Sequence, residues 1–142
     1  MARSQLADAF LTRARAVPGT SLAVHDGAVP SGANRPAPPY AVVYFRFITP
    51  DGERAPDLVD IEENAHPVEA RAYVHAAGGN AKAARDVADL VYGQVFGWTP
   101  SISGLECWPV RHDDSQPPER DETNGLVVVA LDVYRLMSVP TT

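Results

Sequence analysis

The chain has 142 residues, 45% of them hydrophobic and 21% charged, with a formal net charge of -6. That length fits one domain that buries roughly two-thirds of its unfolded surface without a metal or disulfide, and the composition excludes global disorder. The acidic balance argues against a general nucleic-acid binder, which needs positive charge facing phosphates.

Residues 4–17 are expected to form an amphipathic helix with Ser4 as N-cap. Leu6, Phe10 and Ala14, widened by Ala7, Leu11 and Val17, recur at the helical period. Arg13 and Arg15 near its end complement the helix dipole, and Pro18-Gly19 ends it. A short strand is expected at 21–24, stopped by Asp26-Gly27. The stretch near 29–39 holds four prolines and is expected to be an exposed loop.

Tyr40 to Ile48 is the first clear strand, with Ala41, Val43, Phe45 and Phe47 on one face. Tyr40, Val42, Tyr44, Arg46 and Ile48 take the other face, toward solvent or another subunit. Thr49-Pro-Asp-Gly52 signals a turn, and Glu53 to Asn64 lacks a regular period, with Leu58, Val59 and Ile61 as possible anchors. The next strand, 68–75, alternates Val68, Ala70, Ala72 and Val74 against Glu69, Arg71, Tyr73 and His75. Its small inner residues leave room for a closely packed helix.

That helix is expected over 81–96, capped by Asn80 and ended at Gly97. Ala84, Val87, Ala88, Val91 and Val95 form its apolar stripe. A short strand follows at 105–110, with Pro109 at an edge or end. Residues 111–122 mix acids, bases and Pro117-Pro118, and are expected to be a loop that a partner orders. The last strand, 126–137, begins as an apolar run buried on both faces; Asp132 and Arg135 break it where one face meets solvent or a neighbour.

A search for chemistry finds little. Cys107 is the only cysteine, which excludes an internal disulfide and reads as an inert, partly buried thiol. Glu62 with His66, and His112-Asp113-Asp114, do not make a metal set; Pro67 and the absent helical stripe weaken the first pair. Ser21, His25 and Asp26 are hydrolase residue types without a Gly-x-Ser-x-Gly elbow. Gly78-Gly79 lacks dinucleotide spacing, and Lys82 lacks a phosphate loop. Asp86 and Asp89 lie on a polar helix side, and Glu62-Glu63 has no evident shielding. No catalytic, cofactor-binding or metal-binding residue is therefore assigned. No apolar stretch approaches a membrane span or signal-peptide core, so a soluble, cytosolic product is expected.

Five segments in order carry a resemblance: Gln5-Leu-Ala-Asp-Ala-Phe-Leu11, Tyr40-Ala-Val-Val-Tyr-Phe-Arg-Phe47, Pro67-Val-Glu-Ala-Arg-Ala-Tyr-Val74, Ala84-Arg-Asp-Val-Ala-Asp-Leu-Val-Tyr92 and Gly125-Leu-Val-Val-Val-Ala-Leu-Asp-Val-Tyr-Arg135. In element order and size, over residues 1–137, the chain resembles a tail terminator, or tail-completion protein, of long-tailed bacteriophages. The resemblance implies a single-domain α+β subunit, with an antiparallel or mixed sheet covered by two main helices. It implies a homo-hexameric ring that caps the head-proximal end of the tail tube, stops tube growth and meets the head-tail connector or adaptor. It further implies no cofactor, no membrane, no sequence-specific nucleic-acid contact, and passage from host cytoplasm to virion. Interface candidates are Tyr44, Arg46, Arg71 and Tyr73 on the strands, and Asp113, Asp114 and Arg120 in the expected loop. The competing readings are another neck or minor tail protein, a soluble α+β binding protein, and a small α+β enzyme.

Overall fold

The structure, a computed structural model, describes residues 2–19, 22–30, 35–48, 67–121 and 125–141. Among these residues, two helices lie on one face of a six-stranded sheet. The elements run α1 (Ala2–Ala14), β1 (Ala23–Asp26), β2 (Tyr40–Ile48), β3 (Val68–Gly78), α2 (Ala81–Val95), β4 (Leu105–Cys107), β5 (Arg111–Arg120) and β6 (Val128–Pro140). The path across the sheet is β1-β2-β3-β6, with β4 and β5 sharing the far edge of β6. Among the described residues, only β1 with β2 is parallel. The expected α+β class with a mixed sheet under two helices is the observed one.

The alternation in β2 and β3 sets the layers. Ala41 and Val43 on β2, with Ala70, Ala72, Val74 and Ala76 on β3, are buried toward the helices. Leu6, Phe10, Leu11 and Ala14 descend from α1, and Ala84, Val87, Val91 and Val95 from α2. Phe10 meets Phe45 edge-on at 5.8 Å and the Tyr134 ring at 5.9 Å, so one side chain joins α1, β2 and β6. A smaller apolar cluster of Tyr40, Val42, Ala77 and Val127, with Val29 and Val129 against it, sits apart from this core.

Helix α2 begins as the sequence indicates: the Asn80 side chain accepts from the Ala83 amide at 2.8 Å. Gly97, at φ 75, follows its end, and its amide reaches the Val110 carbonyl at 2.9 Å. Helix α1 starts at Ala2, so Ser4 lies inside the first turn instead of capping it. It stops at Ala14, and Arg15 instead donates from Nε and Nη2 to the Val24 carbonyl at 3.0 and 2.9 Å. Arg13 donates to the Gln94 carbonyl at 2.7 Å, so both arginines tie α1 to its neighbours as well as facing its dipole.

Several strand boundaries, besides those of α1, and one element differ from expectation. Strand β1 is displaced to Ala23–Asp26, β3 continues to Gly78, β4 stops at Cys107, and β6 starts at Val128 and runs on to Pro140. The stretch 111–122, expected as a loop, contains a ten-residue edge strand, β5. Its register slips between His112 and Asp114 and between Gln116 and Glu119, so Pro117 and Pro118 occupy an irregularity where no regular ladder donor is required. Ser21, the turn at 49–52, the irregular stretch 53–64, and the Glu62–His66 pair lie outside the described residues.

Among the described glycines, Gly78 has the closest surroundings. A β-carbon there would stand 2.6 Å from the Ala83 carbonyl carbon and closer still to the Ala84 nitrogen. Backbone cannot swing aside as a flexible side chain would. Gly78→Ala should therefore destabilise the fold by about 1–3 kcal/mol in urea unfolding. Gly79→Ala, whose β-carbon would meet nothing within 4 Å, is the control. Equal midpoints for the two variants would show that the helix can back away.

Candidate functional site

Residues opposite one another in a sheet share a face, so register maps the side of the sheet turned away from the helices. Arg46 stands opposite Arg71, Arg71 opposite Arg135, and Arg135 opposite Arg111. Four strands thus bring four arginines into one transverse row. The neighbouring row runs Tyr44, Tyr73, Val133 and Asp114, and the next runs Val42, His75, Leu131 and Gln116.

Arg135 is the satisfied member of the arginine row. Its Nε and Nη2 donate to the two carboxylate oxygens of Asp113 at 3.0 and 2.9 Å, and Glu69 lies 3.4 Å from Nε. Hydrogen bonding to Asp113 holds its guanidinium even more firmly protonated than usual. Asp113 reaches it from the first register slip of β5, so the irregularity aims the acid. Arg46, Arg71 and Arg111 have no ion-pair partner among the described residues. The Arg71 Nε is buried without a hydrogen-bond partner there. Beside it lies an open depression of about 430 Å³, lined in part by Arg71, Tyr73, Asp113, Asp114 and Arg135.

The structure therefore gathers Tyr44, Arg46, Arg71, Tyr73, Asp113 and Asp114 on one region of the sheet. Arg120 lies elsewhere, at the opposite end of β5, where it donates to the Gly125 carbonyl and borders a second depression with His75. Sequence reasoning missed Arg111 and Arg135 as members of the row. Both are visible as arginines, but only the pairing of β5 and β6 with β3 puts them in line.

Asp132 corrects another expectation. It is 7% exposed, on the helix side, and its carboxylate lies 3.0 Å from His112 Nε2. The His112 ring also packs edge-on to Tyr92 at 5.5 Å, so this pair fastens β5 to β6 beneath α2. Tyr134 beside it has its hydroxyl pushed far above the usual range by burial first, then by the charge of Asp132. Burial pushes the half-buried Cys107 thiol up as well, opposite to what a nucleophile needs. His25 and Asp26 are adjacent in β1 and so point to opposite faces. No group of three or more His, Cys, Asp or Glu among the described residues could hold a metal. No helix among them is long and apolar enough to cross a membrane.

No protein-family model matches this chain, and no curated protein matches its sequence. Solved structures do match in fold. A chain from the virion of a native gene transfer agent particle superposes with a TM-score of 0.67 at 15% identity, covering 96% of each chain. A second solved chain gives a TM-score of 0.61 at 15% identity, covering 100% of this chain and 98% of its own. At such identities the likeness establishes the shared fold.

His75 gives this face a pH signature. Its ring packs edge-on to Tyr44 at 5.2 Å, and burial pushes its pKa below the usual 6.5. The unfolded chain therefore takes up this proton before the folded chain does. The contribution is fully present above about pH 6.5 and is lost as pH falls through the lowered folded value. His75→Gln should flatten the loss of urea resistance between pH 7 and 5.5. An unchanged slope would assign that loss to another group.

Proposed function

We propose that this chain is a structural subunit of a phage-like virion, acting as a tail terminator. As a homo-hexameric ring it caps the head-proximal end of the tail tube, stops tube growth and presents a surface to the head-tail connector. The observation that carries the reading is the fold likeness, over 96% of both chains, to a chain of a gene transfer agent virion. The ordered sequence resemblance points the same way and supplies the finer role. Such a subunit needs no catalytic group or cofactor; it assembles in the host cytoplasm and ends in the virion.

A closed ring joins unlike surfaces of successive subunits. The open sheet face offers one such surface, with Tyr44 45% exposed beside the arginine row. Tyrosine and arginine give large contact area and directional donors at interfaces. The double variant Tyr44→Ala, Arg46→Ala should keep its helical and strand circular dichroism yet lose most ring mass in sedimentation at low protein concentration. Unchanged ring mass would remove both residues from the interface.

Electron microscopy of particles made with and without the protein tests the role itself. Without it, tails should be overlong or fail to join heads. Tails of normal length that still join heads would reject the terminator role. Normal length with failed joining would instead assign the chain to another position in the neck.

A further inference from the structure

Acidic charge is concentrated in one part of this chain. Residues 51–63, Asp-Gly-Glu-Arg-Ala-Pro-Asp-Leu-Val-Asp-Ile-Glu-Glu, hold six carboxylates and one arginine, a net charge of -5. The whole chain carries -6, so the remainder sums to only -1. The arginine row presents the complementary charge: Arg46, Arg71 and Arg111 have no ion-pair partner among the described residues, and the Arg71 Nε is buried without an acceptor.

We propose that the arginine row on the open sheet face is the docking site for the acidic stretch 51–63 of a second copy of this chain. The inference rests on the ring reading above and names the two unlike surfaces that such a ring joins. Charge complementarity selects the occupant. Directly opposed like charges destabilise a sheet, and carboxylates set among them relieve that repulsion. Asp113 already does so for Arg135 through a paired, two-oxygen contact, which shows the geometry that the neighbouring guanidinium groups can repeat. The acids at 57, 60, 62 and 63 are interleaved with Leu58, Val59 and Ile61. That mixture suits a face where Tyr44, Tyr73 and Val133 form the row beside the arginines.

Length sets the reach of the stretch. The stretch lies between Ile48 and Val68, and a connection of that length that leaves and returns reaches about 30 Å when extended. The contact requires the arginine row of the next copy to lie within that reach. Each copy would then offer both halves of the contact, face and acidic stretch, and successive copies would join head to tail.

Charge exchange between copies tests this. One variant carries Arg46→Glu and Arg71→Glu; a second carries Asp57→Arg and Asp60→Arg. The first sets carboxylates against the acidic stretch; the second cuts the stretch from -5 to -1 and sets two arginines against the row, so each alone should associate at least ten-fold more weakly than the unmodified chain in low-salt sedimentation, with unchanged circular dichroism. Mixed in equal amounts, each supplies the complement of the other, and association should return. A mixture that associates no better than its components overturns the proposal, as does undiminished association of either variant alone. Recovery in one chain bearing all four substitutions, without recovery in the mixture, would place the stretch on its own sheet and overturn docking between copies. The mass of the restored assembly separates the two claims: closed six-copy rings support both. Open dimers or chains keep the docking contact and reject the ring.

Discussion

The close approach of two helices to the middle of the sheet is the constraint on which the other features depend. Ala70, Ala72 and Ala76 line the inner face of β3, and Gly78 ends it where α2 begins. Larger side chains there would lift α2 away and open space around Val87 and Val91. With the helix seated, Tyr134 and Leu136 of β6 fill the neighbouring volume, and Phe10 closes it from α1. Because side chains alternate along a strand, fixing this inner set also fixes the outer one. A slip of one residue in β3 would turn its alanines outward and bury Arg71 among apolar groups.

The same alternation explains what the sequence reveals. β2 and β3 each present a clean apolar face, and α2 has a cap, a stripe and a terminating glycine that agree with one another. Strand β5 has no such pattern. As an edge strand it is mostly exposed, so it can be built from Asp, Ser, Gln and Pro, the residues that ordinarily mark loops. Its order comes from β6, including the His112–Asp132 contact between residues twenty positions apart. Local propensity carries no information about that partner. Asp132 misleads for the same reason: a carboxylate in an apolar strand implies solvent until an imidazole is placed beside it.

The candidate face was half legible. Tyr44, Arg46, Arg71 and Tyr73 follow from alternation within single strands. The continuous row does not, because it needs the register of β6 against both β3 and β5. The register slips of β5 matter as much as its regular pairs. The first places Asp113 on Arg135, and so divides the row into one neutralised arginine and three without a carboxylate among the described residues.

Magnitudes show why the fold tolerates this arrangement. Three register-opposed arginine pairs cross the face, Arg46 with Arg71, Arg71 with Arg135, and Arg135 with Arg111. At about 0.2–1 kcal/mol for a directly opposed like-charged pair, they cost a few kcal/mol at most. On the other side of the same strands, Phe10, Leu6, Leu136 and Val43 are fully buried. Each large apolar side chain contributes about 1.5–3 kcal/mol on burial, so two of them offset the whole row. The helix-covered face thus supplies enough stabilisation for the open face to hold side chains that the isolated fold does not favour. Such a face is free to be shaped by what it meets. Its guanidinium groups without a carboxylate partner among the described residues give it a charge preference that a merely apolar patch would lack.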